Sequence, residues 1–200
     1  NGGFKVEPYL IRALDSINRS VIFQADPAVA CVKNCTGLNQ AKRVIEPRVA
    51  HIMNSMLSDA IRRGTGTKAM RSLKRGDLHG KTGTTNDADI WFSGFTPDLV
   101  ATTWAGFSDN SPVGNREWGS TTPIETWIEF MARALPKEAD AKSLPTPDGI
   151  VSVKIDPGTG LRTDPADPDG IFEIFREERV PATTNLKKQA EESDITQQVF

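Results

Sequence analysis

The stretch between Leu78 and Phe107 constrains the fold of this chain more than any other. Leu78 to Thr84, Ile90 to Phe95 and Leu99 to Phe107 read as strands. Thr96-Pro97-Asp98, between the last two, is a turn signal that predicts a hairpin. Gly94 and Gly106 interrupt these runs, and a glycine inside a strand marks a bulge or a close contact. The Trp and Phe positions fit a half-buried sheet, so Trp91 and Trp104 are expected to pack in the core. On that reading Trp104→Ala costs ~3–5 kcal/mol if the side chain is fully buried.

Two helices are predicted around these strands. The first starts at Pro47, which suits the first helical position, and Val49, Ile52, Met53, Met56, Leu57, Ala60 and Ile61 follow at helical spacing. The methionines read as core filler. Arg62 and Arg63 complement the dipole in the last turn, and Gly64 fits the stop. Gly64 to Gly66 read as a glycine-rich linker, with a basic segment after it before the strands. The second helix begins with Thr122 as N-cap, Pro123 at its first position and Glu125 closing a capping box. Ile124, Trp127, Ile128, Met131 and Leu135 build its apolar face, and Pro136 lies beyond its end.

Nearer the N-terminus, Tyr9 to Leu14 and Val21 to Gln24 read as a strand pair around the turn Asp15-Ser16-Ile17-Asn18, and Ala28 to Gln40 as a surface loop. From Lys137 onward the composition shifts to Pro, Asp, Lys and Gly. Ile150 to Ile155 with the turn Asp156-Pro157-Gly158 predicts a small hairpin, and Lys187 to Gln198 a disordered tail. Residues 1–136 are thus expected to form one domain and 137–200 an extension to it.

Hydrophobic residues make up 38% of the chain and charged residues 25%, which supports a packed core. The net charge is −2 with both signs interspersed, so no basic stripe exists to neutralise phosphates, and nucleic acid is not an expected partner. No apolar run approaches the ~20 residues that span a bilayer. The opening Asn1-Gly2-Gly3-Phe4 has no initiator Met and no apolar leader, so the chain is expected to be a piece of a longer protein, with any anchor upstream. Cys31 and Cys35 are too few to hold zinc, and His51 and His79 lie in other segments, so no metal site or cofactor is expected. The two cysteines fit either a local disulfide or a pair of free thiols.

The run Gly80-Lys81-Thr82-Gly83-Thr84-Thr85-Asn86-Asp87 carries the chemistry. A nucleotide-binding P-loop ends in Gly-Lys-Thr, but its first glycine must stand five residues before the Gly of Gly-Lys; that position is Arg75, and the glycine sits at 76. The loop must also open a helix, and Gly83 to Asn86 are poor helix interior. A strand with a glycine where another backbone approaches would explain an isolated Lys-Thr-Gly. Its surroundings point further.

Arg63-Gly64-Thr65-Gly66, Gly80 to Asn86, Trp91-Phe92-Ser93-Gly94-Phe95 and Trp104-Ala105-Gly106-Phe107 together resemble the transpeptidase domain of class A penicillin-binding proteins. So do the opening Asn1-Gly2-Gly3 and the helix from Thr122 to Leu135. The resemblance covers residues 1 to 136 strongly and extends weakly to about 180. It implies an α+β, penicillin-binding/β-lactamase-like fold, an antiparallel sheet with helices on both faces, of which this chain supplies the C-terminal part. The activity it implies is peptidoglycan D,D-transpeptidation, in which a serine is acylated by a D-Ala-D-Ala stem peptide and passes the acyl group to an amine. β-Lactams acylate the same serine. It further implies an upstream glycosyltransferase domain and anchor, and a place on the periplasmic face of the bacterial inner membrane.

Carried over by resemblance, Lys81 supplies positive charge near nucleophile and substrate, and Thr82 and Thr84 bind the substrate carboxylate through their hydroxyls. The Thr84 backbone N–H completes an oxyanion hole, Gly83 gives clearance, and Asn86 and Trp91 shape the rim, Trp91 chiefly as a packing residue. His51 and His79 read as structural, because the family uses lysine as base. The family's Ser-x-x-Lys is nowhere in the sequence. Ser16-Ile17-Asn18 and Ser108-Asp109-Asn110 match Ser-x-Asn but sit at turns, the second of them after the Lys-Thr-Gly strand instead of before it. The segment Asn86 to Trp91 is one residue shorter than the family spacing. A β-lactamase, a D,D-carboxypeptidase or a non-catalytic β-lactam sensor would share these motifs.

Overall fold

The computed structural model describes residues 2–32, 35–37, 39–136 and 145–183. Along the chain, β1 (Ala13–Asp15) and β2 (Val21–Gln24) form a short antiparallel pair, followed by α1 (Pro47–Arg62) and α2 (Thr67–Leu73). β3 (His79–Thr85), β4 (Asp89–Phe95) and β5 (Val100–Gly106) make an antiparallel sheet in the order β3-β4-β5. α3 (Thr122–Ala134) follows, then β6 (Ile150–Ile155), paired antiparallel with β7 (Ile171–Arg176). The chain divides into two compact units, Asn1–Pro145 and Thr146–Phe200.

The three-stranded sheet has two distinct faces because side chains alternate along each strand. Register pairs Lys81 with Ser93, and Gly83 with Trp91, which in turn opposes Trp104, so these share one face. Thr82, Phe92 and Thr103 share the other. On that second face Ile61, Ala69, Leu78, Phe92, Ile124, Trp127, Met131 and Leu135 form the core. Trp127 lies edge-on to Phe92 at 5.0 Å, and its Nε1–H donates to the Ala101 carbonyl at 3.1 Å. Gly94 is a close-contact glycine, not a bulge. The register runs through it unbroken, and a Cβ there would stand 2.6 Å from Trp127 Cζ2.

The expectation that the whole aromatic hairpin is core holds on one face only. Trp91 is 39% exposed and Trp104 48%, their rings 6.0 Å apart and tilted. Trp104 Nε1–H donates to Asp89 at 2.7 Å. Period-2 alternation puts an aromatic on the open face as readily as on the closed one, and composition cannot tell which face a helix covers.

α1 starts at Pro47 as expected, but its methionines are not core filler: Met53 and Met56 are exposed, as is Val49, while Ile61 is fully buried. α2 occupies the basic segment after the Gly64–Gly66 linker, where no helix was expected. It is too short to leave a periodic signal and is held by packing, with Ala69 buried and Met70 and Leu73 against the core. The capping box of α3 does not form. Thr121, not Thr122, is the N-cap, which moves Glu125 out of reach, and Glu125 pairs instead with Lys68 of α2. Glu117 takes the local hydroxyls, accepting from Thr121 Oγ1 at 2.6 Å and Thr122 Oγ1 at 2.9 Å. Arg75 and Asp77, at the entry to β3, form a bidentate pair (3.0 and 2.7 Å), and a further Arg75 N–H donates to the Pro136 carbonyl at 3.1 Å.

β1 is shorter than expected, and both β1 and β2 are exposed along their whole length, including Leu14, Val21, Ile22 and Phe23. The reversal between them runs from Ser16 to Ser20, with Arg19 at φ 62°. Cys31 and Cys35 are joined by a disulfide inside the loop that Val29 and Gln40 bridge. In the second unit the turn at Asp156 exists, Thr159 donating twice to its carboxylate. The partner strand, however, is not the residues just beyond it but Ile171–Arg176. The tail from Lys187 to Gln198 lies outside the described residues.

Candidate active site

Among the described residues β3 pairs with β4 alone and is therefore an edge strand, with a row of backbone groups on its other side. Lys81, exposed, donates to the Thr82 carbonyl at 2.8 Å and lies 3.4 Å from Thr82 Oγ1. Thr82 Oγ1 is 2.8 Å from Thr65 Oγ1, which reaches it from the turn between α1 and α2. Thr84 Oγ1 accepts from the Gly119 N–H at 3.3 Å. A cation and three hydroxyls thus line one strand edge, a donor set suited to an anion such as a carboxylate.

Gly119 is the part of this arrangement that the sequence did not announce. A Cβ there would stand 2.2 Å from the Trp91 carbonyl oxygen and 2.7 Å from that of Gly83, so only glycine lets the Trp118-Gly119 segment lie against the motif strand. Gly83 itself is closed in by its neighbour, since an added Cβ would meet Trp91 Cβ at 3.3 Å. Thr65 was visible as part of Gly64-Thr65-Gly66, but its contact with Thr82 spans 17 positions. No local signal encodes that distance.

The loop after β3 explains its own length. The Ala88 N–H donates to the Thr85 carbonyl at 3.0 Å, and the residues between, Asn86 and Asp87, have φ of 50° and 56°. Two consecutive left-handed residues make a tight reversal between the paired Thr85 and Asp89, in a backbone conformation that Asn and Asp tolerate best after glycine. Asn86 is therefore first of all a turn residue. Val113 N–H donates to the Asp87 carbonyl at 2.9 Å and ties the turn to the chain beyond β5.

The two Ser-x-Asn triplets are turns. Asn110, at φ 57°, donates its N–H to the Phe107 carbonyl, and the Ser16 hydroxyl is hydrogen-bonded to that of Ser20. His79 stacks on Phe95 with centroids 4.9 Å apart, its Nδ1 3.1 Å from the Asp77 carbonyl. Burial is the main effect on its ring and pushes the pKa below the usual value, which keeps the imidazole neutral and in a packing role. His51 lies half-buried on α1. Among the described residues no group of three His, Cys, Asp or Glu is placed to hold a metal ion.

The crystal structure of penicillin-binding protein 1A from Haemophilus influenzae superposes on this chain with a TM-score of 0.82. It is 33% identical and covers 92% of this chain, which matches 31% of it. The architecture is thus the α+β penicillin-binding fold. In sequence, the family described as the penicillin-binding protein transpeptidase domain matches residues 1–119. Penicillin-binding protein 1A of Pseudomonas aeruginosa is 37% identical over 92% of this chain, and that of Vibrio cholerae 33% over 88%. The one from Neisseria lactamica is 38% identical over 76%. The chain belongs to the class A penicillin-binding proteins and to their transpeptidase family. It spans 27% of the length of the Pseudomonas relative and 26% of the Vibrio one.

Proposed function

We propose that this chain supplies the substrate-anchoring edge of a peptidoglycan D,D-transpeptidase, completed by an upstream segment that holds the nucleophilic serine in Ser-x-x-Lys. The observation that carries the reading is β3: a strand that among the described residues lies at the sheet edge and on which Lys81, Thr82 and Thr84 stand together. A stem peptide ending in D-Ala-D-Ala presents a carboxylate, and a β-lactam presents one in the same relation to its reactive carbonyl. The Lys81 charge and the threonine hydroxyls bind that carboxylate, and Gly83 keeps the strand between them free of a side chain. The Thr84 N–H donates to the oxyanion that develops as the serine attacks. Asn86 shapes the rim from its turn. Residues 1–136 form the C-terminal part of the transpeptidase domain, with 137–200 an extension of it.

The parent protein carries a glycosyltransferase domain and a membrane anchor upstream and acts on the periplasmic face of the inner membrane. The Cys31–Cys35 disulfide supports an oxidising compartment of that kind.

The test is Lys81 in the full-length protein. Lys81→Ala removes charge that stabilises the transition state and is expected to slow acylation by β-lactams and peptide donors about a hundredfold or more. Lys81→Arg restores part of the rate, because the charge survives while its shape does not. Near-normal acylation of the Ala variant would remove Lys81 from the site.

A further inference from the structure

Two glycines pin Thr65 against the end of α1. The Gly64 N–H donates to the Asp59 carbonyl at 3.1 Å and the Gly66 N–H to the Ala60 carbonyl at 2.9 Å. Neither glycine has the positive φ that would by itself require glycine. What excludes side chains is contact: a Cβ at Gly64 would stand 2.9 Å from the Ala60 oxygen, and one at Gly66 2.6 Å from Ile61 Cδ1. On the other side the chain enters α2, whose Ala69 is fully buried. The turn is thus clamped to both helices while the Thr65 side chain stays exposed, free of any part in the core.

We propose that Thr65 is a positioning residue for the carboxylate anchor, orienting the Thr82 hydroxyl toward an incoming carboxylate. The proton count supports this. Each threonine hydroxyl has one proton to donate, and the Lys81 ammonium can only donate. The Thr65–Thr82 bond at 2.8 Å uses one of the two hydroxyl protons, whichever residue donates, and the Lys81 ammonium, 3.4 Å from Thr82 Oγ1, can only donate to that oxygen. One O–H therefore remains unspent at the edge of β3, beside a fixed positive charge, and its direction is set by the clamped Thr65. Without Thr65 the Thr82 hydroxyl turns freely, and binding must first order it.

This inference rests on the anchoring role proposed for β3, and the test separates the two. In the full-length protein, the second-order acylation rate is measured with benzylpenicillin and with its methyl ester, which lacks the carboxylate charge. Thr65→Val, which keeps the shape and removes the hydroxyl, is expected to slow the acid about tenfold through weaker binding, not slower acylation at saturation, and to leave the ester unchanged. Thr65→Ser restores the acid rate to within about threefold, and the melting temperature of both variants stays that of the wild type, as expected for an exposed site. Equal slowing of acid and ester, or no rescue by Ser, would make Thr65 a structural residue and overturn the inference while leaving the anchor intact. Equal reactivity of the wild type toward acid and ester would overturn the anchor itself, and this inference with it.

Discussion

Gly94 and Trp127 offer a way to test how the sheet is held against α3. A Cβ placed on Gly94 would lie 2.6 Å from Trp127 Cζ2, 2.9 Å from its Cε2 and 3.0 Å from Phe92 Cε1. These are below van der Waals contact, and the indole cannot simply swing away, because its Nε1–H is bonded to the Ala101 carbonyl and its ring is fully buried. Gly94→Ala is therefore expected to destabilise the protein by ~1–3 kcal/mol through overpacking, although glycine-to-alanine in an open strand would stabilise it. Trp127→Phe removes the benzo edge that the new methyl would meet. Alone it costs ~2–3 kcal/mol, from lost packing and an unpaired carbonyl. In the Trp127→Phe background the Gly94→Ala penalty should fall close to zero, a coupling of ~1–3 kcal/mol in a double-mutant cycle. The assay is urea unfolding of the four proteins, with constant slope as the sign that the states compared are the same. Additivity to within ~0.5 kcal/mol would refute the reasoning, since it would place the strain of Gly94→Ala somewhere other than on Trp127.

Arg75→Ala leaves the Asp77 carboxylate buried without its bidentate partner and is expected to cost ~3–5 kcal/mol in thermal or urea unfolding, with a loss below 1 kcal/mol counting against a structural role for the pair. His79 makes stability pH-dependent: its folded pKa is held below the usual value by burial. Above about pH 6.5 both states carry a neutral ring, and as pH falls the unfolded chain takes up the proton first, so stability drops. His79→Gln should flatten that decline in unfolding curves taken between neutral and acid pH; an unchanged slope would assign it to other groups. Trp104→Ala is expected to cost only ~1–2 kcal/mol, because the side chain is half exposed and contributes mainly its contact with Trp91 and its bond to Asp89. A cost of 3 kcal/mol or more would mean that this face is covered.

Local chemistry was legible in the residues alone. Pro47 starts α1, and Thr96-Pro97-Asp98 turns β4 into β5. The placement of Lys81, Thr82 and Thr84 on one strand follows from their adjacency, and the family resemblance was readable because several short runs, from Arg63-Gly64-Thr65-Gly66 to Trp104-Ala105-Gly106-Phe107, follow one another along the chain. What needed the tertiary structure were the facts that depend on which surfaces meet. Alternation marks two faces of the hairpin but does not say that α3 covers the one with Phe92 and leaves Trp91 and Trp104 open. Helical spacing marks a stripe on α1 but does not say that Met53 and Met56 stay outside the core while Ile61 goes in. Thr65 meets Thr82 only because two glycines let the turn close on α1, and Gly119 meets Gly83 only because the chain folds back across the sheet. Sequence sets the period and the local backbone, since both arise from a residue and its neighbours; partners far along the chain are chosen by packing, which no short window of residues contains.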